Sequence, residues 1–137
     1  LSPDSICKTY ELNTPPLQRR LDACKEAMAS GWQVRICFDP VLLVEGWNDI
    51  YTRFLDEVFN KLDCDQLLDI TLGVFRMNKD YFNRIRKREN RSRLFYESYI
   101  IEKGTVIPGK KVRNNALDQL EDKIAQFFPR EKILVWR

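Results

Sequence analysis

The sequence contains no histidine. That removes the side chain that most often acts as a general base near neutral pH, and with it any Ser-His-Asp or Cys-His arrangement. Four cysteines are present, Cys7, Cys24, Cys37 and Cys64, yet they form neither a CxxC pair nor a CxxxCxxC loop. Their spacing describes no zinc or iron–sulfur site within one short loop, and they are expected to be reduced, mostly buried thiols. No apolar run approaches the roughly 20 residues of a membrane span, and no signal-peptide pattern opens the chain, so a cytoplasmic setting without membrane contact is the default expectation. Internal repeats, low-complexity tracts, long linkers, nucleotide-binding loops and RNA-binding signatures are missing as well.

What is present is a chain of 137 residues, 44% hydrophobic and 31% charged, a length and composition that suit one soluble domain with a real core. The formal charge of +3 is unevenly spread: twelve Lys and Arg face four Asp and Glu between Arg76 and Arg113, a local +8, while the remainder sums to −5. A basic segment joined to an acidic scaffold is one footprint of nucleic-acid binding, and a solvated, charge-rich helix is the other reading. The opening Leu1-Ser2-Pro3-Asp4, with no methionine and an immediate turn, reads as the start of a piece cut from a longer protein.

Hydrophobic spacing divides the chain into elements. Asp4 or Ser2 can cap a short helix over Ser5 to Glu11. Thr14-Pro15-Pro16 is a helix start in which the threonine oxygen takes an orphan amide. Leu17, Leu21, Cys24 and Met28 then form one apolar face of a helix over Pro15 to Ser30, stopped at Gly31. Between Trp32 and Trp47, Val34, Ile36 and Phe38 alternate with Arg35, Cys37 and Asp39, the pattern of a strand that Pro40 is expected to end. Arg35 and Asp39 on the polar face are either ligand candidates or an ion pair closing a sheet edge. Trp47, Ile50, Tyr51, Phe54, Leu55, Val58 and Leu62 mark a helix from about Trp47 to Leu62, and Asp69 to Phe75 reads as a strand in which Gly73 leaves room for a close approach.

Helix, strand, helix, strand in this order describe a parallel sheet with helices outside it, an α/β fold. Ligands of such folds sit beyond the carboxyl ends of the strands, which puts Phe38 to Glu45 and Phe75 to Asn78 on one rim. Glu45 with Asp39 is a conceivable carboxylate pair for a hydrolase, though such acids more often cap loops.

Beyond Phe75 the character changes. Asn78 can cap a helix to about Arg88 with Tyr81, Phe82 and Ile85 on one side, and Leu94 to Ile101 can form an edge strand with aromatics on alternate faces. Turn signals at Lys103-Gly104 and Pro108-Gly109 imply a hairpin or an irregular excursion. Leu117, Leu120, Ile124 and Phe127 or Phe128 then mark a helix from about Arg113 to Phe128, and Lys132 to Trp136 is a closing strand. Arg76, Lys79, Arg84, Lys87, Arg88, Arg91 and Arg93 are candidates to neutralise phosphates, and Tyr96 and Tyr99 either stack on displaced bases or pack within the hairpin.

A succession of short motifs extends across nearly the whole chain: Tyr10-Glu11, Thr14-Pro15, Arg20 to Ala23, Pro40, Glu45-Gly46-Trp47 with Tyr51, Asp69 to Leu72, Arg76-Met77 and Phe127-Phe128-Pro129. In their order and spacing they resemble the C-terminal part of the spore photoproduct lyase family, radical S-adenosylmethionine enzymes that repair a thymine dimer in DNA. The resemblance implies a partial TIM barrel of six βα units, whose CxxxCxxC loop holds a [4Fe–4S] cluster that, with S-adenosylmethionine, makes a deoxyadenosyl radical. On that basis residues 1–77 are late βα units and residues 78–137 a basic α/β appendage with a closing helix and strand, the whole forming one domain.

Phe38, Asp39 and Pro40 would lie beside S-adenosylmethionine, and the segment after Arg76 would approach DNA. Without the CxxxCxxC loop this chain alone binds neither cluster nor cofactor and is expected to be inactive, with no catalytic or metal-ligating residue of its own. Partners implied are DNA, the N-terminal barrel half and, through an open sheet edge, another copy. The other reading is a non-catalytic module that uses residues 76–113 to hold nucleic acid or protein. The segment from Leu94 to Lys111 is less basic than the family's DNA-engaging hairpin, which leaves a different substrate open.

Overall fold

The computed structural model describes residues 1–137. Two short helices, α1 (Asp4–Tyr10) and α2 (Leu17–Ala29), precede strand β1 (Val34–Val41). Helix α3 (Trp47–Lys61) leads to β2 (Leu67–Val74), and the last helix, α5 (Lys110–Ile124), to β6 (Ile133–Trp136). Between them lie β3 (Met77–Asn78), α4 (Lys79–Arg88), β4 (Tyr99–Glu102) and β5 (Thr105–Pro108). No helix is long and apolar enough to cross a membrane.

Strands β1, β2 and β6 form a parallel sheet in the order β1-β2-β6. Its rows follow from the period-2 alternation of side chains. Ile36, Ile70 and Ile133 align, as do Phe38, Leu72 and Val135, and these rows pack beneath helices that contribute Leu21, Phe54, Val58, Leu117 and Ile124 to one continuous core. The opposite row, Cys37, Thr71 and Leu134, has no helix over it. Parallel sheets are ordinarily covered on both faces, so a face ending in Trp136 at 62% exposure is unusual for this architecture.

Several boundaries differ from those the sequence suggests. Pro40 does not end β1: a register shift between Phe38 and Val41 carries the chain past the residue with no amide, and Val41 pairs with Val74. Thr14 does not cap α2. Two prolines follow it, and Asp4 Oδ1 instead accepts from the Leu17 amide at 2.7 Å, tying α1 to α2. Leu94 to Ile101 is not one strand, because Leu94 and Phe95 are consecutive and both buried, which an alternating strand cannot achieve. A 3₁₀ turn over Arg93–Tyr96 takes them inward and the strand begins at Tyr99. Helix α5 starts at Lys110, before Arg113, and ends at Ile124 rather than Phe128.

The remaining strands make a small antiparallel sheet, β3-β5-β4. Its hairpin turns at Lys103 and Gly104, whose φ values of 46° and 79° suit the left-handed pair of a tight two-residue loop. Helix α4 carries the cap expected of it: Asn78 Oδ1 accepts from the amides of Asp80 at 2.9 Å and Tyr81 at 3.2 Å.

Three thiols and a phenol are held protonated by their surroundings. Burial pushes the Cys7 thiol up from 9.0 to about 11, helped by the hydrogen bond it donates to Glu11, and burial also raises Cys24, Cys64 and the Tyr51 phenol. Between the ordinary thiol value of 9.0 and about 11 the unfolded chain releases protons that the folded chain keeps. Stability therefore falls as pH rises through that window, by about 1.4 kcal/mol per pH unit for each proton. Urea titrations at about pH 8 and about pH 10.5 should show a lower midpoint at the higher pH with little change in slope.

Candidate functional site

The carboxyl ends of β1 and β2 are joined by a forked ion pair. Arg76 Nη1 and Nη2 donate to Asp39 Oδ1 and Oδ2 at 2.9 and 2.7 Å, and Nη1 also reaches the Val74 carbonyl at 3.2 Å. These hydrogen bonds push the guanidinium further up from its ordinary range, so it carries full charge at any working pH. The pair lies flat over Gly73, where an added Cβ would stand 2.9 Å from Asp39 Cγ and Oδ2 and 3.0 Å from Arg76 Nη1. The close approach expected at Gly73 is thus made by this pair. Further back on the same face Arg35 Nη2 donates to Asp69 Oδ2 at 2.7 Å, so Arg35 and Asp39 pair not with each other but each with a residue beyond β1.

Beside this pair a groove of about 560 Å³ runs between the sheet rim and the α4 region, lined by Pro40 near the end of β1 and Leu42 just after it, Phe75 and Met77 after β2, and Arg88, Ser92, Leu94 and Phe95 opposite. A second, more polar cleft of about 600 Å³ lies between Leu43 to Trp47 and Arg93 with Glu97, and Tyr10 borders both. Residue Phe38 is not on this rim. At 2% exposure it faces the helices, edge-on to Phe54 at 5.6 Å and Phe59 at 6.3 Å, because the alternation that puts Asp39 outward puts Phe38 inward. Glu45, 89% exposed, lies 3.7 Å from Arg93 and forms no carboxylate pair with Asp39, whose oxygens belong to Arg76.

Tyr51 sets the far edge of the rim. Its buried hydroxyl accepts from the Leu42 amide at 2.9 Å, just past the end of β1. Tyr51→Phe leaves that amide without a partner and should cost about 1–3 kcal/mol, read as a lower urea midpoint. Sequence reading placed Tyr51 only on the apolar face of α3. Met77 falls within the expected rim of Phe75 to Asn78, whereas nothing local marks Tyr10 for a groove shared with Phe75, Leu94 and Phe95, 65 to 85 positions away.

The basic residues divide by partner. Lys79, Arg84, Lys87 and Arg91 are exposed and make no ion pair, whereas Arg76, Arg88 and Arg93 sit against Asp39, Glu89 and Glu45. Tyr96 stands out at 63% exposure. Tyr99 is packed against Phe75 at 5.4 Å and Phe82 at 5.5 Å, and burial raises its phenol, so the packing alternative describes it. Phe82 also meets Phe95 edge-on at 5.3 Å, and this aromatic cluster fastens α4 and the hairpin to the end of β2. No three Cys, Asp or Glu side chains converge closely enough to hold a metal ion, and the four thiols are free.

Residues 1–136 match the family described as spore photoproduct lyase. The chain belongs to that family. The spore photoproduct lyase of Bacillus subtilis (strain 168) is 26% identical over 144 residues, which take in 97% of this chain and 42% of that protein. Among solved structures, a cysteine-to-alanine mutant of spore photoproduct lyase aligns with a TM-score of 0.82 at 21% identity, covering 98% of this chain and 42% of the other. A double mutant with bound AdoMet and dinucleoside spore photoproduct gives the same values. These likenesses establish that the parallel sheet and its helices follow the spore photoproduct lyase fold. The chain spans 42% of the length of each of these relatives.

Proposed function

We propose that this chain is the C-terminal portion of a radical S-adenosylmethionine DNA-repair lyase, in which it supplies late βα units of a partial barrel, one wall of the cofactor site and a basic surface for nucleic acid. One observation carries the reading: Pro40, on the rim assigned to the cofactor, and Arg88, on the segment assigned to nucleic acid, line a single groove. A lyase of this kind must bring a lesion and a cofactor together in one space, and the groove joins the two surfaces without a rearrangement. The solved relative that holds AdoMet and a dinucleoside spore photoproduct together supports the same pairing of ligands.

The residues here do not fit an iron–sulfur cluster, since no three thiols converge, and no step is assigned to one. S-adenosylmethionine, bound by the longer protein, would supply the radical chemistry. The residues of this chain bind and position: Asp39 and Pro40 shape the rim, Tyr51 holds the turn behind it, and Lys79, Arg84, Lys87 and Arg91 offer unpaired charge to phosphates. A thymine-rich single-stranded oligonucleotide titrated by fluorescence anisotropy should bind, with the logarithm of its affinity falling linearly against the logarithm of salt between roughly 50 and 200 mM. No binding at low salt, or binding indifferent to salt, would remove nucleic acid from the proposal.

A further inference from the structure

We infer that Arg76 is a positioning residue that clamps the basic appendage to the sheet, and that it is not a phosphate ligand. Both terminal nitrogens of its guanidinium donate to the Asp39 carboxylate, at 2.9 and 2.7 Å, and Nη1 donates also to the Val74 carbonyl at 3.2 Å. The Asp39 side chain is only 14% exposed, so a phosphate drawing Arg76 away would leave a largely covered carboxylate without its counter-charge. Arg76 also stands at a junction. The residue before it, Phe75, still bonds to β1 through its amide and the Val41 carbonyl at 2.9 Å, and the residue after it, Met77, opens β3 in the other sheet. A fork from this position to Asp39 sets the direction in which the chain leaves the parallel sheet. Gly73 belongs to the device, because any side chain there would occupy the space in which the pair lies.

This assignment stands apart from the proposed function, since the clamp acts whether or not the appendage meets DNA. Hydrogen exchange reads it directly at the appendage amides, of which Lys79, bonded to the Gly104 carbonyl at 2.9 Å, is the nearest to the junction. Asp39→Asn, Arg76→Met and their double variant should each lower protection at Lys79 and across β3–β5 by about five- to tenfold, and the double variant should be no worse than either single one. Amides of Ile70 and Leu72 should keep their protection. Arg76→Lys, which retains the charge without the fork, should behave like Arg76→Met. Unchanged protection in the appendage, or strictly additive losses, would overturn the clamp.

The oligonucleotide titration gives a second arm. Asp39→Asn/Arg76→Met removes one charge of each sign and should leave the salt slope as it is in the unmodified chain. A slope smaller by about 0.7–0.9 would mark Arg76 as a phosphate contact and overturn the assignment. If the unmodified chain binds no oligonucleotide, the proposed function loses its nucleic-acid arm, and the exchange pattern decides the clamp alone.

Discussion

Replacing Phe38 by alanine should destabilise the chain by about 3–5 kcal/mol, a large share of the roughly 5–15 kcal/mol that holds a domain of this size together. The ring is 2% exposed and lies edge-on to Phe54 and Phe59 in the core, where neighbours close only partly over the space a removed ring leaves. In urea the midpoint should fall sharply while the slope is preserved, since the surface exposed on unfolding hardly changes. A loss below about 1 kcal/mol would mean that the core collapses around the gap, contrary to the usual behaviour of close-packed interiors. The same substitution separates two roles for one strand. Phe38 supports the rim from beneath, and Asp39, its neighbour, works on the other face.

The second large effect is electrostatic. Changing Lys79, Arg84, Lys87 and Arg91 together to glutamine should reduce the salt slope of oligonucleotide binding by roughly 3 and the affinity by about a thousandfold or more at low salt. These four are exposed and have no acidic partner, so their charge is free to displace counterions. Arg88 and Arg93 lie against Glu89 and Glu45, and neutralising them should change the slope less per residue. Folding should be nearly untouched, because exposed polar substitutions away from caps and cores are ordinarily worth less than about 0.5 kcal/mol. Circular dichroism and urea midpoints matching those of the unmodified chain would confirm that only binding has changed. An unaltered slope would place the contact surface elsewhere.

Much of the architecture was legible because it is written in local spacing. The faces of α2, α3 and α4 recur every three or four residues, and the Asn78 cap and the Lys103-Gly104 turn depend on neighbours only. Alternation in β1 already put Phe38 with Val34 and Ile36 on the helix side. Its assignment to the rim came from its place in the chain, not from the direction of its side chain. The space at Gly73 was legible, but its occupant was not: the Asp39–Arg76 pair joins positions 37 residues apart, and the strand on each side gives no sign of which acid meets which base. Pro40 misled for a related reason. A missing amide forbids one hydrogen bond, yet a shifted register lets a strand step over it, and only the partner strand reveals the shift. The consecutive Leu94 and Phe95 did carry a local sign against a strand, in two adjacent apolar residues that alternation cannot bury together.

The uncovered face of the parallel sheet has an optical consequence. Trp136 stands opposite Gly73 in the register, on the side where Asp39 and Arg76 lie, with most of its indole in water. Trp47 borders the cleft that Tyr10 and Arg93 share. The chain therefore carries a native fluorophore at each of two surfaces. A body that settles on the sheet should shift the emission of Trp136 to the blue and shield it from iodide, while an occupant of the cleft should alter Trp47. In a Trp32→Phe background, which removes the third tryptophan at 72% exposure, Trp47→Phe and Trp136→Phe controls tell the two events apart in unlabelled protein.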